Sequence, residues 1–132
     1  MKLEIKHLAV YAPYNIKVLL GNTKRDLTAI SLDSPFVFVT AFLGSRDKQM
    51  AGIENIKPVL RHKTYLNQLQ DEIFIRWGGG VSIESKGYWL KGFIDNLMYT
   101  AYPALRLDEI EFMAEYHIDI FDLINQGLAV SE

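Results

Sequence analysis

From Tyr14 to Asp33 the chain reads as a β-unit: Ile16, Val18 and Leu20 occupy every second position, interleaved with Asn15, Lys17 and Leu19. A period of two places alternate side chains on opposite faces of a strand. Gly21-Asn22 supplies a turn, and Asp26 to Leu32 predict a second strand carrying Leu27, Ala29 and Ile30. Asp33-Ser34-Pro35 marks the next break, because these residue types favour turns over ladders. The run Phe36-Val37-Phe38-Val39 is apolar at every position and is expected to be a third strand buried on both faces. Residues 44–52, with Arg46, Asp47 and Lys48, read as an exposed loop. A short strand over Ile53 to Leu60 follows, limited to an edge or a bulge by Pro58, which has no amide proton to donate.

Beyond Arg61 the spacing changes. Tyr65, Leu66 and Leu69 stand three and four apart, as on one face of a short helix. Ile73-Phe74-Ile75 and Trp77, then Gly78-Gly79-Gly80, then Val81 and Ile83 predict a hairpin with a glycine turn, and Tyr88-Trp89-Leu90 a further strand. After Pro103, Leu107, Ile110, Ala114 and His117 fall on one helical face with Asp108, Glu109, Glu111 and Glu115 mostly opposite. Asp108 and Glu109 suit the positive end of that helix. Asp119 is placed to cap a second short helix from Ile120 to about Gln126, stopped by Gly127. The expected fold is therefore α+β: a small N-terminal antiparallel sheet, curled or SH3-like, packed against a C-terminal helical hairpin. It forms a single domain over 1–132, β-rich over 1–90 and helical over 105–127.

Composition narrows the chemistry. With 132 residues the chain is long enough to bury roughly two thirds of its unfolded surface. The absence of cysteine removes disulfides, thiolate nucleophiles and sulfur-based zinc sites. The longest nearly apolar stretch, Pro35 to Leu43, is too short to cross a bilayer as a helix, and Glu4, Lys6 and His7 interrupt any apolar leader, so a cytoplasmic location without membrane partners is expected. The net charge of −2 is unevenly spread. Residues 1–66 hold ten Lys or Arg against five Asp or Glu, a net +5, whereas residues 67–132 hold four against eleven, a net −7. Such polarity suits an anionic partner, or complementary surfaces between copies.

Four groupings carry candidate chemistry. Glu115, His117, Asp119 and Asp122 combine imidazole with carboxylates, the types that bind metals or move protons. His117 and Asp119 would be the ligands, but the helix end and the cap account for both. Gly78-Gly79-Gly80 lacks the Lys-Ser or Lys-Thr of a phosphate loop. Ser45, Ser82 and Ser85 lie in no nucleophile elbow. Lys57, Arg61 and Lys63, near His62 and Tyr65, join cations to an aromatic ring, the chemistry of nucleic-acid binding, with Trp77, Tyr88 and Trp89 as further stacking surfaces. The acidic total charge and the ordinary use of Trp and Tyr in cores weigh against that reading.

Three stretches form a recognisable pattern: Lys6-His7-Leu8-Ala9 with Tyr14 and Lys17-Val18; Ile56-Lys57-Pro58-Val59-Leu60-Arg61; and Tyr116-His117-Ile118-Asp119-Ile120-Phe121-Asp122-Leu123-Ile124 with Gly127-Leu128-Ala129. Together they resemble a group of small uncharacterised proteins from prophages and mobile elements of Bacteroidetes. In that group the closing piece has tryptophan, phenylalanine and valine where this chain has Tyr116, Ile118 and Ile120. The segment from about Gln68 to Leu105 has no counterpart. The resemblance implies a phage-related accessory role and transfers no catalytic residue. Taken together, the residues favour a non-enzymatic module without a cofactor, binding a protein partner or itself. The alternative is a nucleic-acid binder using Lys57, Arg61, Lys63 and Tyr65.

Overall fold

Two strands, β1 (Lys17–Leu20) and β2 (Thr23–Ile30), are joined by the turn at Gly21-Asn22, where Gly21 takes a φ of +64° that a side chain would disfavour. The hairpin is the expected one, with Leu20 opposite Thr23, although β2 begins at Thr23 rather than at Asp26. The computed structural model describes residues 2–30 and 36–132, so the expected break at Asp33-Ser34-Pro35 lies outside the described residues. Strand β3 (Phe36–Thr40) pairs with β2, across an irregularity at Thr28, and with β4 (Lys48–Gly52). Strand β5 (Ile56–Leu60) returns to pair antiparallel with β1, and a short C-terminal β6 (Val130–Ser131) pairs parallel with β5. The order is β4-β3-β2-β1-β5-β6, a mixed sheet that does not close into a barrel.

Three strand expectations need correction. Residues 48–52 are an edge strand rather than part of a loop; only the turn before them, where Ala41 N–H donates to Asp47 O at 2.8 Å, is loop-like. Strand β3 is not buried on both faces: Val37 and Val39 are fully buried, whereas Phe36 and Phe38 remain about 40% exposed. Strand β5 lies inside the sheet, not at its edge. It tolerates Pro58 because β6 reaches only Val59 and Leu60, leaving the ladder open on that side of the proline.

The helices depart further from expectation. A short α1 (Ile5–Ala9) precedes the sheet, followed by a 3-10 turn over Ala12–Tyr14. This N-terminal segment packs against both β2 and the helix α4 (Leu107–Glu115), and buries Leu8, Tyr11 and Ile16 completely. The predicted hairpin over 73–83 is instead a helix, α2 (Gln70–Trp77), and the predicted strand at 88–90 belongs to α3 (Lys86–Tyr99). The β-rich part thus ends at Leu60 rather than near residue 90. Leu66, Leu69 and Ile73 are buried on one helical stripe, with Leu90, Ile94 and Leu97 forming another on α3. Gly78 ends α2: its N–H donates to Phe74 O at 2.8 Å, and an added Cβ would lie 2.5 Å from the Phe74 ring.

Helix α4 occupies the expected span, with Ala114 of the expected face buried and Ile110 packed against the core, but its buried surface is not confined to that face. Leu107 is 71% exposed, whereas Phe112 and Met113 are buried together with Glu109. Glu109 is buried because its Oε1 accepts the Arg106 N–H at 2.9 Å, satisfying an amide that the helix start leaves open. The second helix expected over 120–126 is a series of turns, so no helical hairpin forms. Gly127 does end the segment, at a φ of +74°. The buried apolar side chains of strands and helices form one contiguous cluster.

Candidate functional site

The metal candidates are both spent on the backbone. Asp119 Oδ1 accepts the Leu123 N–H and Oδ2 the Ile124 N–H, each at 2.8 Å. This is the capping role its sequence position suggested, applied to a turn instead of a helix. Burial raises its pKa, and the two amides partly offset the rise. His117, at a φ of +58°, directs Nε2 to Tyr14 O at 2.6 Å. Among the described residues no group of three or more His, Asp or Glu side chains is arranged to hold a metal ion.

Of the nucleic-acid candidates, Arg61 and Tyr65 lie together, Lys63 lines an adjoining pocket that shares His62 and Thr64 with theirs, and Lys57 lies apart. Arg61 is a clasp for the C-terminus: Nη1 donates to Tyr116 O at 3.1 Å, Nε pairs with Glu132 Oε2 at 2.9 Å, and the guanidinium lies 4.4 Å above the Tyr65 ring. Lys63 faces the 119–125 turn instead, near Asp119 and Asp122. Lys57 lies in a groove beside Leu3, Ile53 and Leu128. Nor are the tryptophans open platforms. Trp89 stacks on Phe93 at 5.0 Å, and Trp77 packs on Phe93 and Phe112 while its Nε1–H donates to Asp108 Oδ2 at 3.0 Å. Tyr88 alone of the three is exposed.

Two other features stand out, and neither was singled out by the sequence. The first is apolar. On the outer face of the sheet Ala29, Phe38 and Met50 lie opposite one another across β2, β3 and β4, and Met50 is 58% exposed. Phe42 and Leu43, in the turn between β3 and β4, are exposed as well. Strand β4 is the last of the sheet among the described residues, so the row runs up to a backbone edge.

The second is a cleft of about 750 Å³ between α1, the end of α3 and the 119–125 turn. His7 lines it and is itself 98% buried, its relative exposure being 2%. Glu4 N–H donates to His7 Nδ1 at 2.9 Å, and the His7 ring packs edge-on against Phe121 at 4.9 Å. Burial lowers the pKa of His7, which keeps it neutral; with Nδ1 accepting, the proton sits on Nε2. Phe121 also packs on Tyr102 at 4.4 Å. Lys6 and Lys63 are at the cleft as well. The pattern Lys6-His7 was visible in the sequence, but the cleft's far wall comes from residues more than ninety positions away.

The fold is thus an α+β protein built on an open six-stranded mixed sheet, with one apolar sheet edge and one polar-headed cleft. No protein-family model, no curated protein and no solved structure matches this chain. No helix among the described residues is long and apolar enough to cross a membrane.

Proposed function

We propose that this protein is a binding module that self-associates through the β4 edge, pairing with β4 of a second copy. The observation that carries the reading is the outer-face row Phe38–Met50 running to a strand edge that has no ladder partner among the described residues. An edge of this kind is a template for strand addition, and apolar cover makes such pairing favourable. A two-fold, antiparallel arrangement centred on Met50 sets Met50 opposite Met50 of the second copy and so extends the apolar row across both copies. It also brings the Lys48 end of one strand toward the Gly52–Glu54 end of the other, so opposite charges meet. Parallel pairing would instead set Lys48 against Lys48.

Binding rather than catalysis is supported by the use of His117 and Asp119 as backbone partners. A mobile-element accessory role rests on the three sequence stretches described above, and a cytoplasmic setting on the cysteine-free composition. The nucleic-acid alternative ranks second, because Lys57 lines a different groove from Arg61 and Lys63, and Arg61 is paired with Glu132. Light scattering of the purified protein tests the reading. A dimer that Met50→Lys converts to monomer is expected. A wild-type monomer at concentrations up to about 100 µM, where an interface is worth less than about 5.5 kcal/mol, would sink it.

A further inference from the structure

We infer that the cleft beside His7 binds a small aromatic molecule headed by an oxyanion, a carboxylate or a phosphate. The anchor is His7. Its Nδ1 is already occupied by the Glu4 amide, which leaves Nε2–H without a protein partner among the described residues. That nitrogen is not sealed in the core: the only buried side-chain N or O atom without a partner among the described residues is Arg25 Nε. A hydrogen-bond donor on a side chain so deeply buried, held in one tautomer and opening into a cleft, calls for an acceptor.

The charge of that acceptor follows from the neighbours. Lys6 and Lys63 stand at the cleft, and Lys63 exerts its charge on the adjoining Asp119. Lys6 is partly balanced by Glu4 at 3.1 Å and Lys63 by the nearby Asp119 and Asp122, so both lysines contribute to the attraction. Asp122 also lines the cleft and keeps its negative charge while its Oδ1 accepts from Asn125 Nδ2 at 2.7 Å, but the two lysines outnumber this one carboxylate among the lining side chains. An anionic head between His7 and Lys63 gains charge-assisted hydrogen bonds, shorter and stronger than neutral ones. The body follows from the walls: the Phe121 and Tyr102 rings, with Tyr99 at the rim, offer flat apolar surface. The volume of about 750 Å³ is in the range of small-molecule sites.

The test uses the intact protein with nitrogen-15 imidazole NMR at neutral pH, adding benzoate, phenyl phosphate or the neutral benzamide. Saturable movement of the His7 Nε2 resonance by benzoate, phenyl phosphate or both, and not by benzamide, is expected; which of the two binds more tightly assigns the head group. Lys63→Met should weaken that binding about tenfold or more, in keeping with loss of a charged hydrogen-bond partner. His7→Gln, which keeps an acceptor for the Glu4 amide while removing the ring donor, should weaken it similarly when followed calorimetrically. The proposal is overturned if neither oxyanion moves the resonance, if benzamide binds equally well, or if Lys63→Met binds as wild type.

Discussion

The hydroxyl of Tyr11 donates to the carbonyl of Ile118 at 2.6 Å and accepts the amide of Ile120 at 2.9 Å, tying the N-terminal segment to a turn 107 residues further along the chain. Tyr11 is fully buried, and burial pushes its phenol pKa far upward, so the group remains a neutral donor at any ordinary pH.

Tyr11→Phe should therefore cost about 2–4 kcal/mol, since it leaves one buried carbonyl and one buried amide unmatched while keeping the ring. Urea unfolding of the two proteins measures it through the shift in midpoint. A loss below about 1 kcal/mol would mean that the hydroxyl is not what holds the two segments together.

His7 gives stability a defined pH dependence. Burial lowers its pKa below the ordinary 6.5, Glu4 opposing the shift and Lys6 adding to it; Lys63 and Asp122 are the charged groups facing it across the cleft. Between the lowered native value and 6.5 the unfolded chain binds more protons than the folded one, so stability should rise as pH rises through that interval. Protonating Nδ1 also turns the acceptor of the Glu4 amide into a donor. Unfolding midpoints measured from about pH 5 to pH 8 should climb in the wild type and flatten across that interval in His7→Gln. Equal slopes in both proteins would contradict the lowered native pKa of His7.

Arg61 acts as a structural clasp. Removing its guanidinium frees Glu132, the Tyr116 carbonyl and one face of Tyr65. Because the pair is partly exposed, Arg61→Ala should cost about 1–2 kcal/mol, and it should quicken carboxypeptidase digestion of the β6 end. Lys57→Ala should change neither. Unchanged stability in Arg61→Ala, together with loss of a salt-sensitive nucleic-acid affinity, would return this residue to the role its sequence setting first suggested.

The part of the fold that was legible in the sequence is the part fixed by short-range chemistry. Gly21-Asn22 turns the first hairpin, Asp108 and Glu109 open α4, and Gly127 adopts the positive φ expected of a stop. Asp119 caps amides only four and five residues away. Helix α3 was also open to reading: Leu90, Ile94 and Leu97 are spaced four and three apart, with Trp89 and Phe93 beside them. Helix α2 was harder. Its Ile73-Phe74-Ile75 run has the composition of a strand, and the contrary signals were Asp71 and Glu72 at its start and the continuation of the Leu66, Leu69 stripe into Ile73.

By itself, the sequence determined the fold class, the first hairpin, the start of α4 and the local roles of Asp119 and Gly127. Only the tertiary structure decided that 70–77 is a helix, that 48–52 is an edge strand, that Arg61 clasps Glu132, and that His7 lines a cleft. The physical reason is range. Turn conformations and helix caps depend on groups within about five residues, so residue types and spacing express them directly. The cleft, the Tyr11 tie and the sheet edge depend on burial shared between segments far apart in the chain. There the contiguous core overrides local propensity, as it does where Ile73 is buried in a helix.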